Sequence, residues 1–214
     1  MKNFKIDNKG AGKLFSNRFL ESLTRTHFLI PVTLYYLCSL IICFYVVWKD
    51  LLPVIDLFWL FPLGFMLFTF VEYMIHRFIF HFNVKNEKEE KLQYNIHGIH
   101  HEFPRDKFRL VMPPLISILI AFLFYFSFKI FFGNAGYLLF SGFCAGYSTY
   151  LLIHYFIHAR KPPSNFLRYL WIHHSLHHYQ SEEAAFSVSL PLWDYIFGTM
   201  PTKSKPVVSK KNDG

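Results

Sequence analysis

The sequence is poor in cysteine. Its 214 residues include three cysteines, Cys38, Cys43 and Cys144, all within apolar stretches. Small secreted domains held together by disulfides carry many more, and structural zinc sites commonly use paired thiolates. The shortage therefore excludes a disulfide scaffold and a thiolate-based zinc module.

Charge, and acidic charge in particular, is also scarce. Charged residues make up 17% of the chain, and 14 acidic residues face 22 lysines and arginines. Hydrophobic residues reach 53% and aromatic residues 21%. An ordinary soluble domain is less apolar than this. The composition predicts an integral membrane protein.

Four apolar segments are each long enough to cross a bilayer, which takes about 20 residues of helix. Backbone groups in lipid must be satisfied within the segment, so we expect helices rather than strands. Only Asp56 interrupts the four segments with a charge. Short polar breaks join them in pairs, which predicts an all-α membrane protein with two helical hairpins. The predicted spans are Phe28–Trp48, Leu51–Val71, Leu110–Phe128 and Ala135–Ile153.

The basic residues predict the orientation of these spans. Of the 22 lysines and arginines, 20 lie before the first span, between the second and third, or after the fourth. By the positive-inside rule, both termini and the central loop are expected in the cytoplasm. The net charge of +8 is then a signal of topology and of attraction to anionic headgroups, and nucleic acid is a poor explanation for it.

The predicted spans divide the chain into three parts. Residues 1–27 form a cytoplasmic tail, in which apolar residues at helical spacing beside basic ones predict a short interfacial helix. Residues 28–200 form the membrane domain with a cytoplasmic cap, and residues 201–214 form a disordered tail.

Ten of the twelve histidines fall into four clusters. Spans two and four end on the same side of the membrane, so all four clusters can meet in the cytoplasmic cap. Residues three and four apart share a helix face, whereas His76 and His81 are five apart and need a bent helix end to converge. Ten imidazoles are too many for one ion and suit two, which predicts a dimetal site. The clusters are His76 and His81; His97, His100 and His101; His154 and His158; and His174, His177 and His178.

The metal and the class of function leave alternatives. A single histidine is more often a hydrogen-bonded structural residue than a ligand, and His27 and His173 fall outside the clusters. Imidazole binds iron, zinc, copper and nickel. A site of two ions with nitrogen ligands at a lipid interface suits the activation of dioxygen, which needs a redox metal. We therefore expect two iron ions, although zinc would fit the same ligands in a purified sample. A membrane metal transporter would instead place ligands along the spans.

The histidine pattern resembles the fatty acid hydroxylase and sterol desaturase superfamily of membrane di-iron enzymes. HGIHHEFPRDKFRLVMPP, from His97 to Pro114, is similar to the fatty acid 2-hydroxylase branch, as is HHSLHHYQSEEAAFSVSLPLWDYIFGTM, from His173 to Met200. The resemblance covers roughly residues 55–200. It differs at Leu151, where that branch carries an aspartate.

The resemblance implies roles for individual residues. The ten clustered histidines become the metal ligands, and Tyr150 and Glu72 become candidates for supporting catalysis around them. Glu72 lies one turn before His76, where a carboxylate can accept a ligand's second N–H. Arg77 and Asp194 are candidates for ion pairing near the site.

The resemblance also implies an activity. We expect an O2-dependent di-iron monooxygenase that hydroxylates a lipid acyl chain, at C2 of a fatty acid or of an N-acyl sphingolipid-like substrate. Two electrons would come from a separate donor, such as a cytochrome b5-like protein, a ferredoxin or a rubredoxin. The alternative within the superfamily is a carotenoid or sterol hydroxylase or desaturase. The expected location is the bacterial inner membrane in preference to the endoplasmic reticulum.

Overall fold

The computed structural model describes residues 5–201, and within this range the chain forms helices and no strands. This confirms the prediction of an all-α membrane fold. The α-helices, in chain order, are α1 (Arg18–Leu23), α2 (Leu29–Trp48), α3 (Leu57–Ile75), α4 (Glu87–Gln93), α5 (Ile99–Glu102), α6 (Pro114–Phe132), α7 (Ala135–Ala159), α8 (Arg168–Tyr179) and α9 (Leu192–Ile196). The predicted C-terminal tail, apart from Pro201, lies outside the described residues.

Four helices are long and apolar enough to cross a bilayer: Leu29–Trp48, Val54–Phe80, Pro114–Phe132 and Ala135–Ala159. The first agrees with its predicted span to within one residue. The predicted ends of the second and fourth spans, at Val71 and Ile153, were wrong because both helices continue beyond the apolar run and carry histidines in their last turns.

The predicted start of the third span, at Leu110, was also wrong. Leu110 and Val111 are apolar because they are buried beneath the cap, and the helix begins only at Pro114. Proline at a first helical position costs no hydrogen bond, because that N–H has no partner within the helix.

Helix α7 is the central element of the membrane bundle and packs against α2, α3 and α6. Small residues along it allow close approach, as is common between helices in lipid. At the crossing with α3 the backbones touch: a Cβ atom at Gly142 would lie 2.0 Å from the Phe61 carbonyl oxygen, and one at Gly64 would lie 2.0 Å from that of Leu139. Only glycine fits at these two positions.

Two π-helical turns, His76–Phe80 and Tyr94–Gly98, each begin or contain a clustered histidine. A π-turn widens the helix, with hydrogen bonds between residues five apart, and such turns are frequent at functional sites. The first supplies the bend that residues His76 and His81 were predicted to need. The local backbone thus turns both side chains toward one place.

The N-terminal segment folds back onto the central loop. Arg109, which is 8% exposed, donates from Nε to the Gly12 carbonyl oxygen at 2.9 Å and also binds the Glu21 carboxylate. Arg25 binds Asp106 at 3.0 Å. The predicted short helix is present as α1, with Phe19 70% exposed. Residues 5–27 therefore cover part of the cap.

Candidate metal centre

The ten clustered histidines converge into two groups of five. In each group, one ring nitrogen from every residue lies within 4.8 Å of all the others. Eight of the ten side chains are buried, and His81 and His158 are half-buried. The first histidine group is His76, His81, His97, His101 and His177; the second histidine group is His100, His154, His158, His174 and His178.

Helix geometry decides how the three-histidine clusters divide. His97 and His101 are four residues apart and share a face, whereas His100 is rotated by about 100° from His101 and points to the second group. The later cluster divides in the opposite sense, since His174 and His178 join the second group and His177 joins the first. Both clusters therefore contribute to both groups, which ties the two groups together.

The spacing of the nitrogens fits metal ions. The Nε2 atom of His97 lies 3.1 Å from His76 Nε2 and 3.0 Å from His101 Nε2. In the second group, His158 Nε2 lies 2.9 Å from His174 Nε2. Two nitrogens about 2.1 Å from one ion and at right angles to each other lie about 3.0 Å apart, so the observed spacing suits a shared cation.

Hydrogen bonds at the other ring nitrogen fix three of the tautomers. The Nδ1 atoms of His76 and His177 donate to the carbonyl oxygens of Phe186 and Ala184, and His154 Nδ1 donates to that of Leu110. A neutral imidazole that donates from Nδ1 presents only a lone pair at Nε2. These lone pairs point at neighbouring nitrogens, an arrangement that a positive ion would stabilise.

Burial keeps the imidazoles of the cap neutral. Burial, and then the nearby His177 imidazole, lower the pKa of His81 to about 2. Burial also lowers the pKa of His177 to about 4, although the hydrogen bond to the Ala184 carbonyl raises it in part. Burial and neighbouring imidazoles hold the pKa values of His97, His100, His101, His174 and His178 well below their usual range. Neutral imidazole is the form that binds metal.

We expect the metal-free protein to lose stability as the pH falls below about 6.5. An unfolded histidine has a pKa of about 6.5, and these folded-state values are lower, so the unfolded chain binds more protons and acid favours it. The free energy of unfolding should fall by up to about 1.4 kcal/mol per pH unit for each such histidine, between pH 6.5 and the folded-state pKa values. Denaturant unfolding in detergent, followed by tryptophan fluorescence from pH 8 to pH 5, measures this. A stability that stays constant between pH 7 and pH 5 would contradict it.

An apolar cavity of about 320 Å³ ends against both histidine groups. His76 and His97 of the first group and His100 and His154 of the second line it. Its remaining walls come mainly from the ends of the membrane helices and from the segment before α6, including Phe68, Ile75, Leu110, Val111, Ile116, Tyr147, Tyr150 and Leu151. The cavity therefore offers a flexible apolar chain room beside both candidate metal positions.

Two other cavities, with more polar walls, also adjoin the histidines. One, of about 1030 Å³, is lined by His81, His101 and His178 and by Glu182. Glu182 lies 3.6 Å from His101 Nδ1, too long for a hydrogen bond. The other, of about 330 Å³, reaches His158 and His174 between Arg105, Arg160 and Lys161. One apolar cavity and two polar cavities thus adjoin the histidine groups.

Glu72 and Tyr150 both line the apolar cavity, but Glu72 makes different contacts from those predicted. Its carboxylate accepts from the backbone N–H groups of Val188 and Ser189 and binds no ring nitrogen of a clustered histidine within residues 5–201. The expected hydrogen bond fails because His76 Nδ1 is already bonded to the Phe186 carbonyl. Tyr150 stacks on His154, with ring centroids 5.6 Å apart and planes 9° from parallel.

Arg77 also differs from expectation, whereas Asp194 lies within ion-pairing distance of His173. Arg77 donates to the Tyr73 hydroxyl at 2.8 Å and, within the described part of the chain, forms no ion pair. Asp194 is fully buried and binds His173 Nε2 at 3.0 Å. His173, which falls outside the four predicted clusters, is 2% exposed. Its position four residues before His177, on the same helix face, was the available signal. No signal in the sequence marks the backbone carbonyls of Leu110, Ala184 and Phe186 as partners of the histidines, because any residue type carries such an acceptor.

Comparison with known proteins gives consistent matches. The model of the fatty acid hydroxylase family matches residues 61–199. A dihydroceramide fatty acyl 2-hydroxylase of Arabidopsis thaliana is 36% identical over 67% of this chain and 61% of its own length. The fatty acid 2-hydroxylase of Mus musculus is 38% identical over 69% of this chain and 41% of its own length. The chain thus spans only about half the length of these relatives.

One solved structure has the same fold. Full-length scs7p, of which only the hydroxylase domain is visible, superposes with a TM-score of 0.84 and 32% identity, covering 92% of this chain and 75% of that one. The match confirms the predicted four-helix architecture with its histidine-rich cap.

Proposed function

Because this chain belongs to the fatty acid hydroxylase family, we propose that it hydroxylates a lipid acyl chain at C2, the carbon beside the carbonyl. The substrate class is a fatty acid or an N-acyl sphingolipid-like lipid. The relatives named 2-hydroxylases support this position. The ten clustered histidines are the proposed ligands of two iron ions.

The apolar cavity is the observation that carries the proposal. It is the only one of the three cavities described above whose walls are mainly apolar and contain histidines of both groups. An acyl chain in it places one carbon against both proposed metal positions. Since those positions lie at the end of the membrane helices, a carbon near the headgroup reaches them more readily than one at mid-chain.

Two iron ions would supply the redox chemistry by which dioxygen, two electrons and two protons convert a C–H bond into C–OH and one water. The residues of the chain bind and orient the reactants. The cavity walls, among them Ile116 and Leu151, hold the acyl chain and exclude water from the reacting carbon. Tyr150, stacked on His154, is proposed to hold that imidazole in place.

The electrons are proposed to come from a separate donor protein on the cytoplasmic side. The cavity between Arg105, Arg160 and Lys161 opens next to His158 and His174 and offers a positively charged surface to an acidic donor. The distribution of basic residues supports the cytoplasmic orientation of this face. The relatives reported above come from a plant and a mammal, and they give no support to a bacterial inner membrane over the endoplasmic reticulum.

The alternatives predict other features. A carotenoid or sterol oxidase of the same superfamily would need room for a rigid or much longer substrate. A metal transporter needs ligands along the spans, but within residues 5–201 the groups of three or more potential ligands are the two at one end of the bundle. The transporter alternative does not account for an apolar cavity that ends at both groups.

The test is lipid mass spectrometry of host cells with and without the gene, with fragmentation to locate the added oxygen. We expect 2-hydroxy acyl lipids to appear only with the gene. An unchanged 2-hydroxy pool, or oxygen at another carbon, would overturn the assignment.

Membrane vesicles extend the same test to the electron supply and orientation. Inverted vesicles, which expose the cytoplasmic face, should form the product when given iron, dioxygen and a reduced acidic donor such as a ferredoxin. Right-side-out vesicles should not, and product formed equally in both would contradict the orientation.

A further inference from the structure

The segment of residues 184–189, which connects α8 to α9, contacts the first histidine group through its carbonyl groups. His177 Nδ1 donates to the Ala184 carbonyl oxygen at 2.8 Å, and His76 Nδ1 donates to that of Phe186. His177 lies on α8 and His76 at the end of α3. One short stretch of backbone therefore orients ligands from two distant helices.

Two buried carboxylates hold the N–H groups of the same segment. Asp194 accepts from Phe186 N at 2.9 Å and from Ser187 N at 2.8 Å. Glu72 accepts from Val188 N at 2.7 Å and from Ser189 N at 3.1 Å. Asp194 is fully buried and Glu72 is 7% exposed. A charged acceptor forms hydrogen bonds about twice as strong as a neutral one, so the two bonds to Asp194 hold the segment firmly, and the two bonds to Glu72 add to them.

One helical turn before each of these two histidines, another side chain of the same helix also contacts the 184–189 segment or the carboxylate that holds it. Glu72 precedes His76 by four residues and binds the segment directly. His173 precedes His177 by four residues and binds Asp194 at 3.0 Å. Since residues four apart share a helix face, α3 and α8 each contact the arrangement at two successive turns. The segment joins the two helices at the level of the first histidine group.

The backbone of the segment is held in a conformation that requires this support. Ala185 has φ of +57°, in the left-handed region that residues other than glycine seldom adopt. Its N–H donates to the Thr199 carbonyl oxygen at 2.8 Å, and its side chain is fully buried. Such conformations persist where the surroundings over-determine them and are common at functional sites.

The second histidine group lacks this support. Among the described residues, its one ring nitrogen with a backbone partner is His154 Nδ1, bonded to the Leu110 carbonyl at 3.0 Å. In the part of the chain that the structure describes, the Nδ1 atoms of His100, His174 and His178 are buried without a hydrogen-bond partner, as is that of His101 in the first group. The two groups therefore differ in what orients their imidazoles, although each has five.

We propose that Asp194 and Glu72 are positioning residues for the first metal position alone, acting through the 184–189 backbone on His76 and His177. This rests on the proposed function, in that two metal ions are bound. Partners that orient ligands commonly change metal affinity by about 10–100-fold when removed. Loss of this support should therefore weaken the first position and leave the second intact.

The experiment measures metal occupancy of the purified full-length protein in detergent, independently of activity. Wild type and Asp194→Asn are loaded with ferrous iron without oxygen, dialysed against increasing chelator, and analysed by elemental mass spectrometry. Asparagine keeps one acceptor oxygen but puts N–H groups in place of the other. We expect Asp194→Asn to release one ion at a chelator concentration about 10–100-fold lower than wild type needs, and to release the other ion as wild type does.

The matched control is Asp106→Asn. Asp106 is another buried aspartate of the cap, 6% exposed, and its partners are Arg25 and Arg109 rather than the 184–189 segment. We expect it to release its metal as wild type does. Equal weakening of both ions in Asp194→Asn, or of neither, would overturn the inference.

A milder variant keeps the test decisive if Asp194→Asn does not fold. Ser189→Ala removes only the hydroxyl that donates to Glu72 and should give a smaller weakening, again confined to one ion. Wild-type protein that binds two ions but forms no hydroxylated lipid would overturn the proposed function and leave this inference standing. Wild-type protein that binds fewer than two would overturn the inference.

Discussion

His100→Ala is expected to abolish formation of hydroxylated lipid while the protein remains in the membrane. His100 Nε2 lies 3.1 Å from His154 Nε2, within the second histidine group, and its ring also lines the apolar cavity. Loss of partners that merely orient ligands costs about 10–100-fold, so loss of a proposed ligand beside the substrate should lower product by more than about 100-fold. Lipid mass spectrometry of cells that contain equal amounts of each protein measures the difference.

The control for this variant is His27→Ala. His27 is exposed and belongs to neither group, so product should stay near the wild-type amount. Iron content separates loss of a ligand from loss of the fold, because His100→Ala should keep the ion of the first group. Substantial product from His100→Ala would remove His100 from the ligand set.

The sequence predicted which histidines meet but not how they divide. Four clusters at the ends of the second and fourth spans and in the loops after them had to lie on one side of the membrane, and the structure brings all ten together. The assignment to groups depends on rotation about each helix: His100 and His101 are neighbours in sequence yet belong to different groups. A rotation of about 100° per residue explains this once the helix axes are known.

The ends of the spans were predicted less well, for a physical reason. Hydropathy locates where apolar side chains stop, but α7 continues to Ala159, and its His154 and His158 lie within the second histidine group. In the same way Glu72 and His76 extend the second span beyond its apolar run. Polar residues that find partners in the cap do not end a helix, and the sequence does not reveal those partners.

Gly142→Ala is expected to destabilise the membrane bundle and, with it, the metal centre. The added Cβ would lie 2.0 Å from the Phe61 carbonyl oxygen and 2.9 Å from Phe65 N, both backbone atoms that no rotamer change can move. Overpacking of a core costs about 1–3 kcal/mol and occasionally more, and we expect at least the upper value here because α3 and α7 must separate. Thermal unfolding in detergent measures the loss.

The effect should reach the cap because the same two helices carry its ligands. His154 follows Gly142 on α7, and His76 follows Gly64 on α3, each by twelve residues, or about 18 Å of helix. A change of crossing angle is magnified over that distance, so iron content should fall along with stability. Leu123→Ala, at a side chain 68% exposed on α6, is the control and should change neither. Gly142→Ala protein with wild-type stability and full iron would show that the helix crossing does not set the spacing of the two histidine groups.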